Sequence, residues 1–146
     1  MHLDGFLSYP SAVYTVPYGV MVPKEVGNLL LPVPVSGSHI GFSTLRMEPC
    51  WMAMGQAAGI ASALSIDGKV KVQNIDLSRL QDKLVDQKAT LMYFKDVDYT
   101  SPHFRMVQYL GLRGYLPEWT ARLQEPVDMA TLTAWKKLSG KDLPGI

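Results

Sequence analysis

Charge is spread very unevenly along this chain of 146 residues. Of its 14 lysines and arginines and 13 acidic residues, only Asp4, Lys24, Glu25, Arg46, Glu48 and Asp67 fall within residues 1–68, leaving 21 of the 27 for residues 69–146. A stretch so poor in charge forms either the inside of something larger or part of a membrane protein. The long apolar run Cys50 to Ile66 decides between the two. It has 17 residues, carries Gln56, Ser62 and Ser65, and is rich in Ala and Gly rather than Leu. A spanning helix needs about 20 mostly apolar residues, so no transmembrane segment is expected despite the Gly55/Gly59 spacing used by spanning pairs. The run reads instead as a helix packed on nearly every side, its small residues admitting neighbouring backbones.

The other bulk properties exclude more than they specify. The length suits one domain, and a formal charge of +1 removes the electrostatic basis for binding nucleic acid. Cys50 is the sole cysteine, so neither an intrachain disulfide nor a cysteine metal cage can form. Met1-His2-Leu3-Asp4 does not read as a signal peptide. The compartment stays open: a soluble protein, cytoplasmic or exported with a parent chain.

Local patterns suggest an α/β organisation in residues 1–72 and a helical region in 73–146. Tyr14 to Tyr18 and Val20 to Val22 are short β-prone pieces broken by Pro17, Gly19 and Pro23. Leu29-Leu30-Leu31 and the following Pro32-Val33-Pro34-Val35 read as a strand buried on both faces. The small-residue stretch Ser36 to Thr44 reads as a loop leading to the long helix, the order in which α/β proteins present a ligand site. Beyond it, Leu77, Leu80, Leu84 and Val85 predict an amphipathic helix to about Lys88, capped by Asn74 or Asp76. Ser101-Pro102 offers a second start, with Gly111 or Gly114 as the stop, and Asp128 caps a last helix ended by Gly140.

Little catalytic machinery stands out. His39 lies between glycines with no second histidine at metal-pair spacing, and Cys50 opens an apolar helix whose dipole could activate a thiol or leave it buried and inert. None of the 12 glycines forms Gly-x-Gly-x-x-Gly or a Walker pattern. A small-residue loop before a helix N-terminus can still donate backbone N–H groups to an electron-rich ligand.

A longer pattern is more specific. Pro17-Tyr18, Val22-Pro23-Lys24, Asn28-Leu29-Leu30, Ser38-His39, Arg46-Met47-Glu48-Pro49 and Met54-Gly55-Gln56-Ala57-Ala58-Gly59 occur in order. Together they resemble the C-terminal section of a bacterial FAD-dependent oxidoreductase family with a glutathione-reductase-like Rossmann fold. The resemblance implies a partial FAD-binding Rossmann-like domain followed by a small helical appendage. It also implies that this segment returns to complete a flavin pocket whose dinucleotide-binding half lies elsewhere, in a parent chain or a separate one. On that resemblance Ser36, Gly37, Ser38, Gly41, Ser43, Thr44, Leu45 and Met47 run beside FAD. His39 and Arg46 stand nearest the chemistry, a hydride transfer with a small-molecule substrate. For Arg46 the competing reading is an ion pair with Glu48, and Gln56 reads as a buried hydrogen-bonding residue. Where many relatives carry a Gly-Arg or Gly-Asp pair after the strand, this chain has Pro32-Val33-Pro34, which removes that contact to the ribityl chain from the expectation. The tail from Phe94-Lys95-Asp96-Val97 through Gly111, Gly114 and Trp135 resembles an S-layer-homology-type helical unit, which leaves a non-catalytic interaction module as the alternative function.

Overall fold

Proline decides the fate of the expected central strand. Pro32 and Pro34 take every second N–H donor from Leu31–Val35, so this segment cannot complete a ladder. Only two isolated backbone bonds form beside it, Leu31 N–H to Met21 O and Ser36 N–H to Val20 O, both 2.8 Å. Leu29 and Val33 remain exposed. A strand buried on both faces also needs flanking strands, and no other segment supplies one among residues 11–140, which are those the computed structural model describes. The α/β, Rossmann-like class is therefore overturned: every regular element among the described residues is helical. These are α1 (His39–Leu45), α2 (Glu48–Gly68), α3 (Leu77–Asp86), α4 (Phe104–Leu112) and α5 (Met129–Ser139), with short 3-10 turns at Tyr18–Met21 and Val72–Asn74. The β-prone pieces around Pro17 likewise become an irregular lead and the first of those turns. Met1 to Asp4, read for a leader, lie outside the described residues.

The chain divides into two compact units, residues 1–75 and 76–146. In the first, Met21, Val35, Leu45, Met54 and Ala58 form the buried centre, with Tyr18, Phe42 and Trp51 packed against it. Side chains fasten the loops around this centre. Tyr18 donates its hydroxyl to Val72 O at 2.8 Å, and burial pushes its phenol pKa above the ordinary value. Asn28, at a left-handed φ of 56°, accepts from Val72 N–H, and Gln73 donates to Val26 O.

Helix α2 departs from its expected surroundings. Its buried residues, Met54, Ala58, Ala61, Leu64 and Ser65, occupy one side. On the other, Met52, Gln56, Gly59, Ala63 and Ile66 are exposed. The expectation of a helix packed on nearly every side is thus corrected, as is that of a buried Gln56. A Cβ at Gly55 or Gly59 would meet nothing within 4 Å, so the close backbone approach expected there is not made. Among the described residues no helix is long and apolar enough to cross a membrane.

The second unit is held by two polar clamps around an apolar centre of Phe94, Val97, Val107 and Ala121. Gln108 is fully buried on α4. Its Oε1 accepts from Leu91 and Met92 N–H, both at 2.8 Å, and its Nε2 donates to Met92 O at 2.7 Å. Asp96 accepts from the N–H groups of Ala121 and Arg122, each at 2.8 Å. Desolvation pushes its carboxyl up, but those two N–H groups, with its own N–H and the Arg122 charge, hold the pKa below the usual carboxylate range. Asp76 caps α3 and Asp128 caps α5. Gly114, at φ 79°, terminates α4, whereas Gly111 lies inside it. Helix α5 is tied to Tyr115 by Trp135, whose Nε1–H donates to the Tyr115 carbonyl at 2.7 Å.

Candidate functional site

The expected loop before the long helix is itself mostly helical. Ser38 takes the N-cap position of α1, accepting from Gly41 N–H at 3.0 Å. Gly41 leaves room for that cap, since a Cβ there would approach Ser38 Oγ to 3.2 Å. Ser43 donates its hydroxyl to His39 O and Thr44 donates to Gly41 O, so both hydroxyl protons are engaged within the helix. Leu45 is buried in the core, and Ser36 and Gly37 are exposed on the approach to α1. Met47 is the exposed N-cap of α2.

This winding brings together two residues that a loop would have left unrelated. His39 opens α1 and Arg46 is its C-cap, seven positions later. They therefore share one face, about 10 Å apart along the axis, with Ser43 between them. Both side chains are exposed. The competing ion pair of Arg46 with Glu48 is not formed: the ion pairs among the described residues join Arg105 to Asp82 and Asp86, and Arg122 to Glu118.

The start of α2 offers less to an anion than its position suggests. Pro49 has no N–H, while Cys50 and Trp51 N–H already donate to Met47 O at 3.0 and 3.2 Å. Glu48 adds a negative charge in the first turn. The Cys50 thiol is half-buried and donates to Thr44 O at 3.7 Å. Trp51, which the sequence reading passes over, holds a buried indole N–H with no acceptor. Its only signal in the sequence is a tryptophan amid small residues, since a buried indole normally finds a partner. Two surface grooves lie in the second unit and include no residue from Ser36 to Met47. Among the described residues, no cluster of His, Cys, Asp and Glu could hold a metal.

A family model described as FAD dependent oxidoreductase matches residues 3–84, more than half of the chain. The chain belongs to that family. Comparison with curated proteins and with solved structures returns no match. An FAD-dependent oxidoreductase segment must offer donors to its cofactor. The side chains of His39 and Arg46 fit, being exposed donors with no competing partner. The Leu45 side chain faces the core, and Ser38, Ser43 and Thr44 turn their hydroxyls to their own helix. The match ends within α3, so α4 and α5 lie beyond the recognised oxidoreductase region.

Proposed function

We propose that this chain is a returning segment of an FAD-dependent oxidoreductase, completing a flavin pocket in company with a dinucleotide-binding half. The family match over residues 3–84 carries the reading, taken with a sequence that lacks a dinucleotide fingerprint. The exposed side of α2 supports it, because an uncharged helical face is the kind that another part of a protein covers. When bound, the flavin supplies the hydride acceptor or donor. The role of this chain would be to hold charge: Arg46 would donate hydrogen bonds to an anionic substrate group or to the bound flavin. His39, on the same face, supplies a second donor or a proton acceptor.

Two measurements test the reading. The purified chain alone should emerge from gel filtration without flavin absorbance, and co-expression with the dinucleotide-binding half should give yellow protein. Stoichiometric flavin on the isolated chain would overturn the division of labour. In the assembled protein, Arg46→Ala should slow flavin reduction by about 10²-fold, the typical loss of one charge-stabilising donor. Stopped flow at matched FAD occupancy reads this directly, and reduction at the parental rate would remove Arg46 from the site.

A second reading concerns residues 85–140 alone. They lie outside the family match, and their Phe94, Asp96 and Val97 build a core and clamp of their own. This favours an interaction role for the tail beside the redox role of the first unit.

A further inference from the structure

Helices α3 and α4 leave a groove of about 470 Å³ between them, within the usual range for small-molecule sites. Its floor is apolar: buried Val85 from α3, with half-exposed Met106 and partly buried Leu112 from α4. Its charged groups are arranged asymmetrically. Arg105 is held by Asp82 and Asp86, so its charge is already answered. Arg113, just past the end of α4, has no carboxylate within 4 Å among the described residues. Its guanidinium carbon sits over the Tyr109 ring, 3.4 Å from the centroid, and one N–H donates to Tyr109 O at 3.3 Å.

Stacking of this kind fixes the plane of a guanidinium while leaving the N–H groups along its edge available. One of five donors is engaged, and the planar fork matches a carboxylate. A ligand satisfying both features would place an apolar body along Val85 and Met106 and an anionic head at Arg113. We infer that the α3–α4 groove binds a small organic acid, its carboxylate paired with Arg113 and its aromatic or aliphatic body on the groove floor. Local pairing answers the choice of head group, since Arg113 is the lining cation with no carboxylate within 4 Å among the described residues. The volume answers the choice of a small molecule.

The test uses the full chain with methyl-labelled methionine, and phenylacetate as the probe. Titration should shift the Met106 methyl and the Arg113 Nε–H resonances together and saturably. Neutral 2-phenylethanol, which keeps the body and loses the charge, should bind about tenfold more weakly, the effect of one hydrogen bond to a charged group. Acetate, which keeps the charge and loses the body, should not saturate in the same range. Arg113→Gln should abolish the preference for phenylacetate over 2-phenylethanol. Arg113→Lys, which keeps the charge but loses the fork, should retain only part of it. Met106→Ala should weaken both aromatic probes alike. Equal binding of the two aromatic probes would overturn the inference, as would acetate acting as strongly as phenylacetate or either reporter failing to move.

Discussion

At the scale of single residues, the strongest local commitments lie in the second unit and are polar. Gln108 closes three hydrogen bonds to the backbone of Leu91 and Met92 from a fully buried position. Gln108→Leu keeps similar bulk but strands those backbone groups, and should lower stability by about 1–3 kcal/mol, read as a shift in the denaturant midpoint. An unchanged midpoint would show that water replaces the amide. Asp96, Asp98 and Asp128 each accept from backbone N–H groups, and each carboxyl is held below its ordinary pKa. For Asp96 desolvation is overcome by the N–H groups of Ala121 and Arg122 together with its own N–H and the Arg122 charge, for Asp98 the Thr100 side chain leads, and for Asp128 the Thr131 N–H leads. Groups lowered in the folded state contribute stability that is present above the unfolded value of about 4 and lost as pH falls through the folded values. The thermal midpoint should therefore hold level from neutrality to about pH 5 and decline below pH 4. Asp96→Asn should flatten that decline, and an identical acid profile would remove Asp96 from the account. None of these clamps was readable from spacing alone, because Asp96 and Ala121 are 25 positions apart. The helix caps were, since Asp76 and Asp128 each act on the next few residues.

Among elements, the contrast between α2 and α4 turns on glycine. A Cβ at Gly111 of α4 would come within 2.9 Å of the Phe94 ring and 3.4 Å of Met92 Cβ, whereas one at Gly59 of α2 would meet nothing within 4 Å. Gly111→Ala should overpack the core and cost about 1–3 kcal/mol. Gly59→Ala in the same chain should instead stabilise by about 0.5–1 kcal/mol, because alanine has the better helix propensity. Chemical denaturation of both variants checks the pair. Equal signs would contradict the packing described for one of them. Helix periodicity and capping residues made α3, α4 and α5 legible because their information is local. The strand at Leu29–Leu31 failed for the opposite reason: a buried strand is specified by neighbours, and the alternating prolines deny it the bonds a lone segment could make. The stretch from Ser36 to Thr44 reads as a loop because its glycines and serines suit turns, yet Ser38 caps a helix and Gly41 accommodates that cap.

For the molecule as a whole, the recognised family region and the physical units do not share an edge. The match stops at residue 84, inside α3, while the compact units divide after Ile75. The family was legible in ordered short motifs spread over the first unit, whereas the placement of His39 and Arg46 on one helical face was not, because it follows from the winding of α1. Joining the chain to a dinucleotide-binding half should convert the effect of Gly59 substitution: Gly59→Leu, harmless to the isolated chain, should impair assembly if that half covers α2. Co-purification of the two parts reads the outcome, and equal recovery would place the contact elsewhere. The uncovered side of α2 has a consequence for the isolated polypeptide in solution. Met52 and Ile66 are each 76% exposed, and the chain has an isoelectric point near 7.8 with a net charge of only +1. Near neutral pH, mutual repulsion between copies is therefore weak while adhesive surface is available. Solubility of the isolated chain should pass through a minimum close to physiological pH, exposing it there to aggregation and to chaperone and protease surveillance.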